Sequence, residues 1–335
     1  MRRRPQQLVF LTLVSFTIVV FITLDHRIFP YRSVRPSSIE IWKARVLCFI
    51  PTSPKYHLLR AQHVKNTWGQ RCDQQVFLSS KADKKVGAVQ LKVKEGYNNL
   101  WGKTRASLKY LYHNHLDDAE WFYKADDDTF AIVENLKHML KLYDPDFPIY
   151  FGAKLRAKDN SQVFMSGGAG YVLSRAALKL VVEKGFTNST ICKAENKGRE
   201  DVELGRCMQA VGVMFGDSRD HLGRERFLCL TPELLLPGWA AANNHGWFWN
   251  IVYYPMKEGP MCCSERVVSF HYVKPSMMYV FYYLIYRVHL SHFQGPLPRL
   301  PPDISSIPKE VLEKYGMADR TSTQATQENT TWEDY

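Results

Sequence analysis

Three consecutive aspartates, Asp126, Asp127 and Asp128, follow an apolar and aromatic run at residues 119–125. Because Trp, Phe and Tyr favour strands, this run is predicted to be an inner strand with the acids at its carboxyl end. Adjacent carboxylates beside a core repel one another unless a cation neutralises them. Hard oxygen ligands suit Mg²⁺ or Mn²⁺, and a substrate phosphate can complete the coordination. We therefore predict a site for a metal and a diphosphate. A solvated acidic turn is the alternative.

Further candidate residues lie in the second half of the chain. The glycine cluster at 166–171 lets the backbone approach a ligand closely, although a tight turn uses the same residues. Glu200 and Asp201 begin a predicted helix that runs to Val211, where carboxylates usually complement the helix dipole. His271 lies in a strand-like run and, taken alone, is more often a core histidine than a ligand.

Strands and helices alternate in the first half of the chain. Strands are predicted at 45–50, 75–78, 89–93, 119–125 and 148–152, and helices at 58–68, 101–112 and 132–143. This alternation predicts a mainly parallel sheet covered on both faces, which binds ligands at the carboxyl ends of its strands. No GxGxxG motif opens a helix after the first strand, so a dinucleotide-binding fold would lack its phosphate turn. No GxxxxGK[ST] motif occurs either, which excludes P-loop chemistry.

The second half of the chain has a less regular pattern. Residues 242–260 are rich in Trp, Tyr and Asn, a combination that holds sugars but that an ordinary core also uses. Residues 276–290 are strongly aromatic but too short to cross a membrane, so a packed or membrane-facing helix is predicted. The tail at 296–335 is predicted to be disordered because it lacks residues for a core.

The amino-terminal residues indicate a membrane anchor. Residues 8–24 are uncharged and apolar apart from Ser and Thr, which just suffices for a bilayer of about 30 Å. The arginines at 2–4 favour a cytoplasmic tail at 1–7 and a luminal remainder. A cleaved signal peptide is the alternative, disfavoured because no small-x-small cleavage pattern follows. A polar stem at 25–44 would then lead to the globular domain.

Composition limits the classes of function. The chain has 335 residues, 45% of them hydrophobic, as expected for one large or two small folded domains. The net charge is +11, but the basic residues are dispersed among acids, so nucleic-acid binding is disfavoured.

The cysteines and sequons fit the secretory pathway. The seven cysteines form no CxxC pair of zinc-site spacing, and their number suits an oxidising compartment. The odd count leaves one thiol unpaired or linked to another chain. Asn188 and Asn329 begin N-glycosylation sequons, although such short patterns also occur by chance.

Taken together, these motifs resemble those of the fringe-like β1,3-glycosyltransferase family. The segments that carry the resemblance are 64–68, 94–96, 103–104, 124–129, 150–152, 165–174, 200–207, 216–220, 258–260 and 262–272. They follow the family's order over about residues 45–290.

The resemblance implies a GT-A-type α/β fold, with a Rossmann-like, mainly parallel sheet flanked by helices and an irregular acceptor-binding half. It implies that the luminal domain at 45–295 uses Mn²⁺ to transfer galactose from UDP-galactose with inversion at the anomeric carbon. The implied acceptor is the 3-hydroxyl of GalNAc-α-Ser/Thr on glycoproteins, which gives the core 1 O-glycan. A Golgi or early secretory location, a single-pass type II topology and a homodimer are also expected.

The resemblance also assigns roles to individual residues. Asp128 and His271 would hold the metal, and Asp201 would be the general base. The nucleotide contacts would come from Glu95, Gly96, Tyr97, Lys103, Asp126 and Asp127. The acceptor and sugar contacts would come from Gly168, Ala169, Gly170, Tyr171, Trp249, Glu258 and Tyr272. The implied disulfides are Cys48–Cys72, Cys192–Cys207 and Cys262–Cys263, which leave Cys229 unpaired.

The implied reaction makes chemical sense for these residue types. A divalent cation stabilises the charge on a leaving diphosphate, and a separate carboxylate takes the proton of the acceptor hydroxyl. Another donor or acceptor on the same scaffold, such as GlcNAc or a glycolipid, remains an alternative. A non-catalytic luminal chaperone is a second alternative, disfavoured by the intact Asp126, Asp128, Asp201 and His271.

Overall fold

The computed structural model describes residues 44–157, 162–240 and 246–289. The predicted cytoplasmic tail (1–7), anchor (8–24), nearly all of the stem (25–44) and C-terminal tail (296–335) lie outside the described residues, as does Asn329.

Twelve strands are found in the described residues, arranged in three sheets. They are β1 (Val46–Pro51), β2 (Gln74–Ser79), β3 (Ala88–Gln90), β4 (Trp121–Lys124), β5 (Phe130–Ala131), β6 (Ile149–Gly152), β7 (Lys154–Arg156), β8 (Val163–Met165), β9 (Tyr171–Ser174), β10 (Met214–Phe215), β11 (Phe227–Leu228) and β12 (Ser269–Phe270). The central sheet has seven strands in the order β10-β6-β9-β4-β1-β2-β3. All of its neighbours are parallel except β9, which is antiparallel to both β4 and β6.

Eight α-helices are found in the same part of the chain. They are α1 (Gln62–Asn66), α2 (Leu100–His115), α3 (Val133–Leu140), α4 (Arg175–Leu180), α5 (Glu200–Ala210), α6 (Pro232–Leu235), α7 (Gly246–Trp249) and α8 (Pro275–Tyr286). The predicted α/β class with a mainly parallel sheet is confirmed by this arrangement.

The central sheet is buried on both faces. Along β4, Trp121 and Tyr123 pack into one hydrophobic cluster, while Phe122 packs into the other. Successive side chains of a strand point to opposite faces. A strand covered on both sides is therefore apolar at every position, which explains the continuous aromatic run before the acids.

The predicted helix at 58–68 differs from the structure. This segment contains a 3₁₀ turn at Pro54–Tyr56, a π-helical turn at His57–Ala61, and only then α1. Ala61 and Val64 are buried, but Leu58 and Leu59 are 52% and 58% exposed. The apolar positions of the segment therefore do not form a single stripe facing the core, because the π-helical turn changes the periodicity.

The other predicted elements are found with shifted ends. The strand expected at 89–93 is β3, and the strand-like run around His271 contains only β12. The aromatic helix expected at 276–290 is α8, in which Met278 is the buried residue. Within the described ranges, no helix is both long enough and apolar enough to cross a membrane.

Three disulfides hold the described domain. They join Cys48 to Cys72, Cys192 to Cys207, and Cys262 to Cys263, which are the pairs that the resemblance implied. Cys229 is a free thiol that is 6% exposed. Burial raises the pKa of this thiol to about 12, so the thiolate needed for disulfide exchange is scarce.

Candidate active site

A cleft opens at the carboxyl ends of β1 and β4, beside the amino terminus of α5. Six residues predicted as site residues line it: Tyr97, Lys103, Asp126, Gly168, Asp201 and His271. They come from five separate parts of the chain, which the fold brings together at one edge of the central sheet. The cleft therefore combines the predicted nucleotide, metal and base regions.

Asp126, Asp128 and His271 form a cluster that could hold a metal ion. Each offers one ligand atom, and these atoms all lie within 4.8 Å of one another. The Nε2 atom of His271 lies 3.3 Å from Oδ1 of Asp128 and 3.8 Å from Oδ2 of Asp126. The structure thus brings together the two metal ligands that the sequence predicted and adds Asp126 to them.

The backbone after β12 fixes the position of the imidazole. Tyr272 has a φ of 59° and its ring stacks on His271, with ring centroids 3.7 Å apart. The amide of Val273 donates a hydrogen bond of 2.8 Å to the carbonyl of Asp128. A positive φ in a tyrosine is strained, and strain of this kind concentrates at functional sites.

The glycine cluster allows the loop to pass close to the histidine. A Cβ on Gly168 would overlap the ring of His271, and Gly170 has a φ of 81°. Thr129 donates a 2.7 Å hydrogen bond to the carbonyl of Gly168, so the loop is tied to the acidic segment. Close backbone approach, rather than only a tight turn, accounts for glycine at position 168.

Electrostatics differ among the three aspartates. Burial raises the pKa of Asp127 to about 7, although Thr52 donates a 2.6 Å hydrogen bond to this carboxyl. Burial acts in the same direction on Asp128, but His271 and Arg60 outweigh it and lower the pKa of that carboxyl below its ordinary value. Asp128 is thus an anion in this arrangement, as a metal ligand must be.

The predicted nucleotide region lies next to the acids. Lys103 is buried, donates a 2.8 Å hydrogen bond to the carbonyl of Thr52 and forms an ion pair with Glu95. Tyr97 is 56% exposed at the cleft, and Gly96 has a φ of 108°. Thr52 therefore connects the nucleotide region to Asp127, which is itself buried outside the lining of the cleft.

Asp201 lies in the first turn of α5 and faces the same cleft as the metal cluster. Its carboxylate accepts hydrogen bonds from the amides of Val202, at 2.9 Å, and of Gly167, at 3.4 Å. Burial raises the pKa of Asp201 above its ordinary value of 3.8, against the opposing effect of Arg199. A carboxylate with a raised pKa is a stronger base, which suits general-base chemistry.

Sequence reasoning missed two cations at this site. Lys124 is buried and donates hydrogen bonds to Asp126, at 2.7 Å, and to the carbonyl of Gly167, at 3.0 Å. Its ammonium group also lies 3.8 Å from Glu200, which accepts a 2.6 Å hydrogen bond from Tyr171. A signal for Lys124 was present in the sequence, because the predicted inner strand includes this lysine, and a buried lysine needs a charged partner.

The second missed cation is Arg60. Its guanidinium lies 2.9 Å from Asp128 and 3.5 Å from Asp127. No sequence pattern linked this arginine to the acids, because the helical stripe expected around it was itself wrong.

The predicted acceptor residues are less closely grouped. Tyr171 contacts Glu200 below the cleft, and Tyr272 stacks on His271. Trp249 lies in α7 against Phe248, with ring centroids 5.2 Å apart, and neither it nor Glu258 belongs to the lining of the cleft. The roles of Ala169, Trp249 and Glu258 in acceptor binding stay predictions.

The sequon at Asn188 lies in an exposed turn. The side-chain oxygen of Asn188 accepts hydrogen bonds from Thr190 at 2.9 Å and 2.7 Å. The position is accessible to modification.

Comparison with known proteins identifies the family. Residues 43–253 match the family model described as Fringe-like. The chain is 44% identical over 280 residues to the glycoprotein-N-acetylgalactosamine 3-beta-galactosyltransferase 1 of Xenopus laevis, a match that covers 83% of this chain and 77% of the relative. It is also 29% identical over 178 residues to a beta-1,3-glucosyltransferase of Mus musculus, covering 52% of this chain and 35% of that relative. The chain therefore belongs to the Fringe-like family, as its motifs predicted.

Similarity to solved structures is more distant. The apo form of mouse xyloside xylosyltransferase 1 has a TM-score of 0.38 and 10% identity, covering 68% of this chain and 96% of that chain. The sheet order and the family membership together agree with the GT-A-type class predicted from the sequence.

Proposed function

We propose that the protein transfers galactose from UDP-galactose to the 3-hydroxyl of GalNAc-α-Ser/Thr on glycoproteins, with inversion at the anomeric carbon. The observation that carries the proposal is that Asp201 lines the same cleft as Asp126 and His271, two members of the cluster that could hold a metal. The 44% identity to a galactosyltransferase of Xenopus laevis supports the enzyme class and the acceptor.

The donor set fits a divalent metal such as Mn²⁺. Two carboxylates and one imidazole within 4.8 Å combine hard oxygen ligands with a nitrogen ligand, a mixture that Mn²⁺ accepts. Gly168 leaves room for the imidazole beside the acids. We assign Asp126, Asp128 and His271 as the residues that would hold the ion. When bound, the ion would supply Lewis-acid stabilisation of the leaving diphosphate.

The residues of this chain would bind the donor and move one proton. Lys103 and Lys124 place two buried ammonium groups beside the cleft, which favours an anionic diphosphate there. Asp201 would accept the proton of the acceptor hydroxyl at its carboxylate. Since inversion requires attack from the face opposite to the leaving group, a base separate from the metal cluster is needed.

The decisive experiment measures transfer of labelled galactose to a GalNAc-peptide by the full-length protein, with and without EDTA. We expect incorporation that EDTA abolishes and that added Mn²⁺ restores. A panel of UDP-sugars, including UDP-glucose and UDP-GlcNAc, tests the donor, because a relative is a beta-1,3-glucosyltransferase. No transfer from UDP-galactose to any GalNAc-peptide would exclude the proposal.

We further propose that the protein is a type II membrane protein of the Golgi or early secretory pathway, anchored by residues 8–24, with its catalytic domain in the lumen. The three disulfides and the exposed Asn188 sequon fit an oxidising lumen. A homodimer is also proposed. Peptide N-glycosidase sensitivity tests the luminal location, and sedimentation of the detergent-purified protein tests the dimer.

A further inference from the structure

The two carboxylate oxygens of Asp128 face different neighbours. Oδ1 lies 3.3 Å from the imidazole Nε2 of His271, inside the cluster that could hold a metal. Oδ2 instead accepts a hydrogen bond of 2.9 Å from Nη1 of Arg60. One oxygen therefore faces the cluster that could hold a metal, while the other is occupied by a guanidinium.

Arg60 is held in place on several sides. Its guanidinium lies over the ring of Tyr56, 4.4 Å from the ring centroid, and 3.5 Å from Oδ1 of Asp127. Asp127 is fixed in turn by a 2.6 Å hydrogen bond from Thr52. Stacking and a second carboxylate restrict the arginine, so it can hold Asp128 in one orientation.

We infer that Arg60 is a positioning residue that restricts Asp128 to one metal-binding oxygen and so makes the site select a small octahedral ion over Ca²⁺. Mg²⁺-sized and Mn²⁺-sized ions accept single carboxylate oxygens, whereas Ca²⁺ takes six to eight oxygen ligands and often binds carboxylates through both oxygens. Hydrogen bonds to a ligating carboxylate tune affinity in this way in many metal sites. The inference rests on the metal site of the proposed function.

The ratio of the affinities for Mn²⁺ and Ca²⁺ separates the effect of the orientation of Asp128 from the effect of the charge of Arg60. Removing Arg60 takes a positive charge from the acids and strengthens attraction for every divalent cation. This effect is equal for Mn²⁺ and Ca²⁺, because both carry the same charge. A change in the ratio of their dissociation constants therefore reports the orientation of Asp128.

The experiment measures binding of Mn²⁺ alone to the full-length protein by electron paramagnetic resonance, with Ca²⁺ as the competitor. We expect the wild type to prefer Mn²⁺, and Arg60→Gln to reduce this preference about tenfold. Arg60→Lys keeps the charge but lacks the planar guanidinium that lies over Tyr56, so its preference should fall as well.

Arg71 provides the matched control. Its side chain is 41% exposed, against 37% for Arg60, and it likewise pairs with a carboxylate, that of Glu134, and lies over a ring, that of Tyr286 at 4.9 Å. Arg71→Gln removes the same charge from a residue paired with Glu134 instead of with the acids of the cluster, and it should leave the ratio unchanged.

An unchanged ratio in Arg60→Gln, with Mn²⁺ still bound, would overturn the inference and leave the proposed function intact. Equal affinities of the wild type for the two ions would overturn it as well. If the wild type binds no Mn²⁺ either in the absence or in the presence of UDP, the proposed metal site and the inference are both refuted.

Discussion

The imidazole Nε2 of His271 lies 3.3 Å from Oδ1 of Asp128, although one residue follows β12 and the other follows β4. The two strands belong to different sheets. β12 pairs with β5, which begins two residues after Asp128, and this pairing brings the histidine to the acids. The candidate metal cluster therefore lies where the central sheet meets the three-stranded sheet.

Asp201→Asn should strongly reduce turnover while keeping binding of UDP. General-base catalysis contributes about 10²- to 10⁴-fold, so a fall of this size in kcat is expected. Because burial raises the pKa of Asp201, the wild-type kcat/KM should decline with falling pH at values above 3.8, the ordinary aspartate pKa. A pH–rate profile checks the decline, and calorimetry checks UDP binding.

Asp146→Asn is the control for that measurement. Asp146 is an exposed aspartate that pairs with Arg175 at 2.8 Å and does not line the cleft. Its removal should leave kcat and the pH profile unchanged. Full activity of Asp201→Asn would show that another group accepts the proton.

Gly168→Ala should weaken metal binding about tenfold. The added methyl group would overlap the ring of His271, which cannot easily turn away because it stacks on Tyr272 at 3.7 Å. Mn²⁺ binding measured by electron paramagnetic resonance checks this expectation. A thermal denaturation curve run alongside it identifies a variant that has simply lost its fold, and unaltered Mn²⁺ affinity in a folded variant would contradict the close approach.

Lys124→Met should reduce the free energy of unfolding by about 3–5 kcal/mol, because it leaves Asp126 and the buried Glu200 without their ammonium partner. Lys137→Met is the matched control. Lys137 pairs with Asp73 at 2.8 Å, but its side chain is 25% exposed, against 4% for Lys124. We expect this control to cost no more than about 1 kcal/mol. Urea denaturation measures both, and equal losses would mean that burial of the Lys124 ion pair is unimportant.

Glu225 should make the domain less stable as the pH rises. Burial raises the pKa of Glu225 from 4.5 to about 7, although Arg219 opposes the shift. The folded state therefore binds a proton that the unfolded state has lost. The contribution of protonated Glu225 to the free energy of unfolding is complete below pH 4.5, and it is lost as the pH rises through about 7. The expected loss is about 3 kcal/mol, since each pKa unit of difference corresponds to about 1.4 kcal/mol.

Glu225→Gln tests this stability effect. The variant carries no titrating group at this position. Its free energy of unfolding should therefore decline less than that of the wild type between pH 5 and pH 8, which lie on either side of the pKa of about 7. Parallel pH dependences of the two proteins, measured by urea denaturation, would rule out a contribution from this carboxyl.

The sequence by itself determined the central strand, the acids after it and the family. An apolar run such as 119–125 predicts a strand covered on both faces, and Asp126 must then lie at its carboxyl end, where open α/β sheets bind ligands. These conclusions depend on local patterns, because the residues that form each pattern are close together in the chain. The same patterns identified Asp201 at a helix start and the glycine cluster, in which Gly168 lies against the ring of His271.

Only the tertiary structure decided which basic side chains form ion pairs with the three aspartates. Lys124 looked like a strand residue and Arg60 like part of an amphipathic helix, yet the fold buries one beside Asp126 and brings the other to Asp128. Arg60 lies within the π-helical turn at His57–Ala61. No pattern in the sequence predicted this turn. Ion pairs of this kind join residues distant in the chain, so their partners follow from packing and not from sequence spacing.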